Sequence, residues 1–198
     1  MTKNLSLKTA VTASLASLLS LSAFASGDNH FVGGYAVLTQ EWKSASATVD
    51  GEKLKKYEAA PSLGLGYNFA LDPHTTLGIK ATFDTKNGEY AVSPEKEVKE
   101  KSHYSLAIEP GYAVNDKVLV FGILAYHKAK TEYIDTETSM GKASLTGYGY
   151  GVGAKYVLAN HLFLIGEVQK IDYGSKTIGG SSIKPASTVF SLGLGYHF

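Results

Sequence analysis

Three residues of one short stretch have types and a spacing that could do chemistry: His103, Ser105 and Glu109. All three fall on one parity of an alternating segment, so an extended chain turns them to the same face. A histidine beside a serine can act as its general base, and a carboxylate can orient the histidine. The competing account is simply the polar face of a sheet. The opposite parity holds Tyr104, Leu106, Ile108 and Tyr112, which are large and apolar or aromatic. A polar strip backed by an apolar one needs no catalysis to explain it, and the expectation is a chain without catalytic residues. The six histidines (His30, His74, His103, His127, His161, His197) are scattered rather than set at ligand spacing. The chain has no cysteine, so thiolate metal sites, thiol catalysis and disulfides are excluded. No metal site and no cofactor is expected.

The elements that hold these residues begin after a removable leader. Lys3 and Lys8 precede an uncharged stretch, 9–25, with a Leu-rich centre, and it closes on Ala23-Phe24-Ala25. That order describes a secretory signal peptide over 1–25, cleaved after Ala25. The stretch is too short and too rich in Ser and Thr for a membrane helix, which needs about 20 apolar residues. The domain that remains, 26–198, has no long apolar run. The 19 basic and 18 acidic residues nearly balance, and every basic one is lysine, which gives no case for nucleic acid.

Alternation recurs along the rest of the chain. It places strands near 30–43, 60–70, 75–86, 102–114, 117–130, 145–158, 161–173 and 186–198. Three connections are short and carry turn chemistry: Leu71-Asp72-Pro73-His74, Asn115-Asp116 and Ala159-Asn160. Four are long and polar, near 44–59, 87–101, 131–144 and 174–185. Tyr67, Tyr112, Tyr156 and Tyr196 recur at intervals of 45, 44 and 40 residues, each near the end of an even-numbered strand. On those strands one face is large and apolar, while the other is small or polar: Ser62, Gly64, Gly66 and Asn68 oppose Leu63, Leu65, Tyr67 and Phe69. A soluble sandwich would strand the aromatic set in water, and the small set is too small to fill an oily core. A bilayer resolves this, because the large residues face lipid and the closed sheet satisfies its own backbone. The fold expected is all-β: an eight-stranded antiparallel up-and-down transmembrane β-barrel, with short periplasmic turns and long extracellular loops. The odd strands read less cleanly, and the strand over 117–130 is apolar on both faces, so its parity stays open.

A barrel of about eight strands is narrow enough for side chains to fill. The interior polar set is Lys80, Glu109, Lys155, Glu167 and Gln169. Charges there must pair, and they form a plug; a proton or ion path is the alternative. Tyr67, Phe69, Tyr112, Tyr156, Tyr196 and Phe198 read as an interfacial aromatic girdle. The loops carry Lys53, Lys55, Lys56, Lys96, Lys99 and Lys101, which could meet lipopolysaccharide phosphates or acidic host polymers. Strands that run past the membrane would leave edges open to a partner strand.

His30-Phe31-Val32-Gly33-Gly34-Tyr35-Ala36 resembles the first strand of the OmpX/Ail/PagC-type small outer-membrane barrels. Ser105 to Asp116, with Glu109-Pro110-Gly111-Tyr112 inside it, resembles their fourth strand and turn. Tyr148 to Gly153 and the terminal Gly193-Leu194-Gly195-Tyr196-His197-Phe198 continue the likeness, and the broader opacity/OmpA-like group is similar too. Ser191, Gly193, Tyr196 and Phe198 resemble the signal read by the barrel-assembly machinery. The resemblance implies an outer-membrane location and a monomer. It also implies adhesion, invasion, complement resistance or envelope defence through the loops. Its enzymatic or channel-forming alternative is a lipid-modifying enzyme or a narrow ion or solute pore.

Overall fold

The computed structural model describes residues 30–49, 52–84, 88–93, 96–135, 140–174, 176–178 and 181–198. The leader expected over 1–25 lies outside them. Period-two alternation becomes strand throughout: β1 (Gly33–Val49), β2 (Glu52–Ala70), β3 (Thr75–Asp84), β4 (Gly88–Ser93), β5 (Lys96–Asn115), β6 (Val118–Asp135), β7 (Met140–Val157), β8 (Leu162–Asp172), β9 (Lys176–Ile178) and β10 (Ser181–His197). Neighbouring strands around the sheet, β1-β2-β3-β5-β6-β7-β8-β10, pair antiparallel, and β1 closes on β10 from Tyr35↔His197 to Val49↔Ile183. β3 and β4 lie in line along β5, and β8 and β9 lie in line along β10. The ten segments therefore build eight staves of a closed barrel.

The tight turns are made by side chains that mimic backbone. Asp72 Oδ1 accepts from the N–H groups of His74 and Thr75, both at 2.8 Å. Asn115 Oδ1 accepts from Lys117 N at 2.9 Å and Val118 N at 3.0 Å. These bonds end one strand and aim the next without a loop to order. The chain terminus is tied in at the same end: Phe198 N donates to Gly34 O at 2.9 Å.

At the opposite end the strands continue through much of what the sequence reads as loops. β1 and β2 stay paired to Val49↔Glu52, inside 44–59. β5 and β6 stay paired to Lys96↔Asp135, inside 87–101 and 131–144. The sequence there is mostly polar at both parities, so it carries no alternation to mark a strand. Among the described residues, the β2–β3 ladder starts only at Ser62 and the β7–β8 ladder only at Tyr148. Among those residues no ladder joins β2 to β4 or β7 to β9. Beyond the wall the described strands therefore fall into two panels, β2–β1–β10–β9 and β4–β5–β6–β7.

The structure gives β6 its parity. Leu119, Phe121, Ile123, Ala125, His127 and Ala129 point inward, and Val120, Leu124 and Tyr126 point out. The expectation of a lumen without an oily part is thereby corrected. Phe31, Tyr35, Leu119, Phe121, Ile123, Phe163 and Ile165 form an apolar cluster inside. They fit because small residues face large ones. A Cβ at Gly66 would run into the Tyr35 ring, and one at Gly195 into the Phe163 ring.

Candidate functional site

The lumen is filled in layers, starting from the turn end. Phe163 is fully buried and stands edge-on to Tyr35, with ring centroids 5.8 Å apart. His197 packs on Phe163 at 4.8 Å, and Asn68 Nδ2 donates to the Phe31 carbonyl at 2.7 Å. These groups close the base of the barrel.

Above them lies a belt of charge. Glu109 on β5 accepts from the Tyr35 hydroxyl at 3.1 Å and meets Lys80 Nζ at 2.7 Å. Lys80 also pairs with Glu167 across the barrel. Lys155 Nζ is 3.6 Å from Glu109 Oε2 and 3.8 Å from the Tyr35 ring centre. Two carboxylates thus face two ammoniums, and an aromatic face supports the lysine with the longer ion pair. Gln169 lines the next layer with Glu167 and Lys80.

A second charged group, absent from the sequence reading, spans the hairpin end. Asp84 pairs with Lys43 and meets His103 Nδ1 at 3.1 Å. His103 Nε2 lies 3.2 Å from His127 Nδ1, and the two rings stack. Lys43 also reaches Glu41 at 3.4 Å. Asp84 and Lys43 sit at the outer ends of strand patterns, where a lone charge reads as loop. Their signal was parity, since each shares the inward face of its strand. Between this group and the belt lies a cavity of about 20 Å³, lined by Thr82, Ser105, His127 and Gln169 among others. That is room for about one water molecule.

His103, Ser105 and Glu109 do not assemble into a nucleophile and its base. His103 is engaged by Asp84 and His127, Ser105 Oγ lies 2.5 Å from Thr82 Oγ1, and Glu109 belongs to the charged belt. Among the described residues no group of three His, Asp or Glu could hold a metal ion.

The outer surface carries two aromatic levels. Near the turns, Phe69, Tyr112, Tyr156, Tyr196 and Phe198 are exposed. Tyr67 shares their face but is only 9% exposed, covered in part by Phe69 at 4.6 Å. The second level, which the sequence reading missed, lies toward the hairpins. There Trp42 pairs with Phe190 at 5.6 Å, Phe83 with Tyr104 at 5.2 Å, and Tyr126 with Tyr148 at 5.8 Å. Two aromatic belts bounding an apolar wall fit the two interfaces of a bilayer. Of the terminal residues, Tyr196 and Phe198 face outward, and Ser191 is buried inside. The side chains of Lys53, Lys55, Lys56, Lys96, Lys99 and Lys101 lie outside the described residues, though their backbones belong to the extended parts of β2 and β5.

Comparison with known proteins gives the same architecture. The structure is similar to that of Ail from Yersinia pestis, solved with the heparin analogue sucrose octasulfate. Identity is 17%, TM-score 0.53, covering 83% of this chain and 99% of that one. It is similar to Neisserial surface protein A, at 14% identity and TM-score 0.58, covering 84% and 99%. It is also similar to OprG from Pseudomonas aeruginosa, at 16% identity and TM-score 0.52, covering 87% and 99%. At these identities the likeness is one of fold. No curated protein matches the chain. The family model described as outer membrane protein beta-barrel domain matches residues 11–198, and the chain belongs to that family of outer-membrane β-barrels.

Proposed function

We propose that this protein is a cell-surface interaction protein that acts through its extracellular hairpins. The single observation that carries this reading is the pair of panels beyond the barrel wall. β1 continues seven residues past Trp42, to Val49, which is about 20 Å of extended chain at ~3.3 Å per residue. Each panel ends on strands whose outer edges are unpaired among the described residues: β2 and β9 on one, β4 and β7 on the other. Such edges offer N–H and C=O groups to a partner strand. The filled lumen supports the same reading, because it leaves the surface rather than a pore to meet the outside.

Two panel strands are rich in lysine: Lys53, Lys55 and Lys56 on β2, and Lys96, Lys99 and Lys101 on β5. Ail, of similar fold, was solved with a heparin analogue. A sulfated or phosphorylated polymer is therefore the ligand class to test first. The assay is heparin binding by the protein in lipid nanodiscs, with a variant in which all six lysines become serine. The expected result is salt-sensitive binding that the variant loses, since several contacts release counterions together. Equal binding by both proteins, or none by either, would sink the polyanion reading. The surface reading itself is tested by trimming the four hairpins to tight turns. Adhesion to host cells or matrix that survives trimming would refute it.

Export through a cleaved leader, lipopolysaccharide as a neighbour, and the assembly role of Ser191, Gly193, Tyr196 and Phe198 belong to this same reading.

A further inference from the structure

The charged group at the hairpin end of the lumen lies where the two panels part. Ser62↔Asp84 is the last described step of the β2–β3 ladder, and Tyr148↔Asp172 is the last of the β7–β8 ladder. Lys43 reaches from β1 to Asp84 on β3, Asp84 meets His103 on β5, and His103 meets His127 on β6. β1 belongs to one panel, and β5 and β6 belong to the other. These contacts form a bar across the mouth of the barrel that ties the panels at their roots.

Protons can be counted along the bar. His103 Nδ1 lies 3.1 Å from Asp84 Oδ2, and a bare Nδ1 would set a lone pair against a carboxylate oxygen. Nδ1 therefore carries a proton. Lys43 Nζ, 3.5 Å from that nitrogen, is a second donor to the same oxygen. Of His103 Nε2 and His127 Nδ1, 3.2 Å apart, one donates and the other accepts. In a neutral pair His127 Nδ1 is the donor, which leaves His127 Nε2 bare. That nitrogen and Gln169 Oε1 are both buried and have no hydrogen-bond partner, and both lie within 3.3 Å of the point a Cβ on Gly149 would occupy. Two acceptors would then face each other with no proton between them. One added proton answers every group. His103 donates from both nitrogens, and His127 Nε2 donates to Gln169 Oε1, directly or through the one water the cavity has room for. A second added proton would oppose two N–H groups at 3.2 Å, so the pair takes one.

Charge gives the same count. Asp84 and Glu41 share Lys43, while the belt below sets two carboxylates against two ammoniums. Among the described residues one buried negative charge is left over at the mouth, and a cationic histidine pair neutralises it. Across the cavity Lys80 and Glu167 hold each other, and β7 and β10 present Gly149 and Val189, which do not titrate.

We infer that His103 and His127 hold one shared proton, and that this proton latches the two panels together at the mouth of the barrel. Releasing it opposes two buried acceptors and leaves a buried carboxylate uncompensated, so the bar parts. The joined state holds one proton more than the parted state. The latch is therefore closed at mildly acidic pH and opens as pH rises. It is independent of what the hairpins bind.

Two measurements on the protein in lipid nanodiscs test this. Ring-nitrogen NMR of histidine-labelled wild type counts the protons. At about pH 6, His103 is expected to be protonated on both nitrogens and His127 on Nε2, with one of the three protons lost by about pH 9. The chain has no cysteine, so Ser46→Cys on β1 and Lys130→Cys on β6 place one spin label on each panel. Their distance distribution is expected to be narrow at the lower pH and to lose its narrow component at the higher. His103→Gln is expected to abolish that pH dependence, and His161→Gln, at the turn end, to keep it. The proton count needs no variant, so it decides even where His103→Gln fails to fold. A neutral pair at the lower pH, a distribution that does not respond to pH, or a response that survives His103→Gln would each overturn the inference.

Discussion

Glu109 is approached from three sides inside the barrel: by the Tyr35 hydroxyl, by Lys80 and by Lys155. Its partners are not equally placed. Lys80 has Glu167 as a second carboxylate, whereas Lys155 has Glu109 and a set of aromatic rings. Removing Glu109 therefore isolates Lys155 more than Lys80. Glu109→Ala should destabilise the barrel by about 3–5 kcal/mol, the range for breaking a buried pair. Glu109→Gln combined with Lys155→Met removes both charges and should recover most of that loss. Urea unfolding from lipid vesicles measures both. A double variant no more stable than Glu109→Ala would show that the pair matters through its polar contacts rather than through charge isolation. The belt was legible in the sequence because Lys80, Glu109, Lys155 and Glu167 each interrupt an inward parity of small or apolar residues. Tyr35 was not, because a tyrosine on an alternating strand suits either face.

At the scale of elements, glycine and turn chemistry hold the barrel together. Gly195 on β10 lies under the Phe163 ring of β8, and Phe163 is fully buried with nowhere to turn. Gly195→Ala should cost about 1–3 kcal/mol by overpacking. Gly122→Ala, where the nearest atom is 3.6 Å away, should cost nothing or stabilise slightly. The two unfolding midpoints moving together would refute this steric account of the lumen glycines. The turn between β2 and β3 has a pH dependence of known sign. The Thr75 side chain, and then the His74 and Thr75 N–H groups, hold the exposed Asp72 carboxyl below its ordinary range. A lowered folded value means that the stabilisation is present above the ordinary Asp range. It is lost as pH falls through the folded value, so the window begins near pH 4 and extends downward. Asp72→Asn keeps an acceptor without the charge. The difference in stability between wild type and this variant should shrink on going from pH 6 to pH 3, and a constant difference would count against the turn as its source. β6 was the element the sequence could not orient. Its inner residues fill the lumen with apolar bulk, while its outer residues face lipid, so two apolar surroundings erase the alternation that marks a face. The extended hairpins were hidden for the converse reason, because their sequence is mostly polar at both parities.

The whole molecule is a cylinder whose seam is its last strand. β10 must find β1 over the full run from Tyr35↔His197 to Val49↔Ile183 before any edge is satisfied. Phe198 ends that seam with two kinds of contact. Its N–H bonds Gly34 O at 2.9 Å, and its ring lies 5.8 Å from Tyr196 on the lipid side. In the finished barrel these amount to one backbone hydrogen bond at the strand end and one exposed ring, a small part of the total. During assembly the same residue is the terminal aromatic of a lipid-facing stripe, Phe190, Leu192, Leu194, Tyr196 and Phe198, all outward and exposed. Those two roles predict different consequences of losing it. Deleting Phe198 should cost about 1 kcal/mol in urea unfolding of protein refolded into vesicles. If the strand is also the proposed address for the assembly machinery, the deletion should lower the amount of folded barrel in cells several-fold. Quantitative blotting of heat-modifiable protein in outer-membrane fractions gives the second number. Equal cellular yields, or a stability loss large enough to account for the missing protein, would assign Phe198 to closure alone and remove the addressing role from the terminal strand.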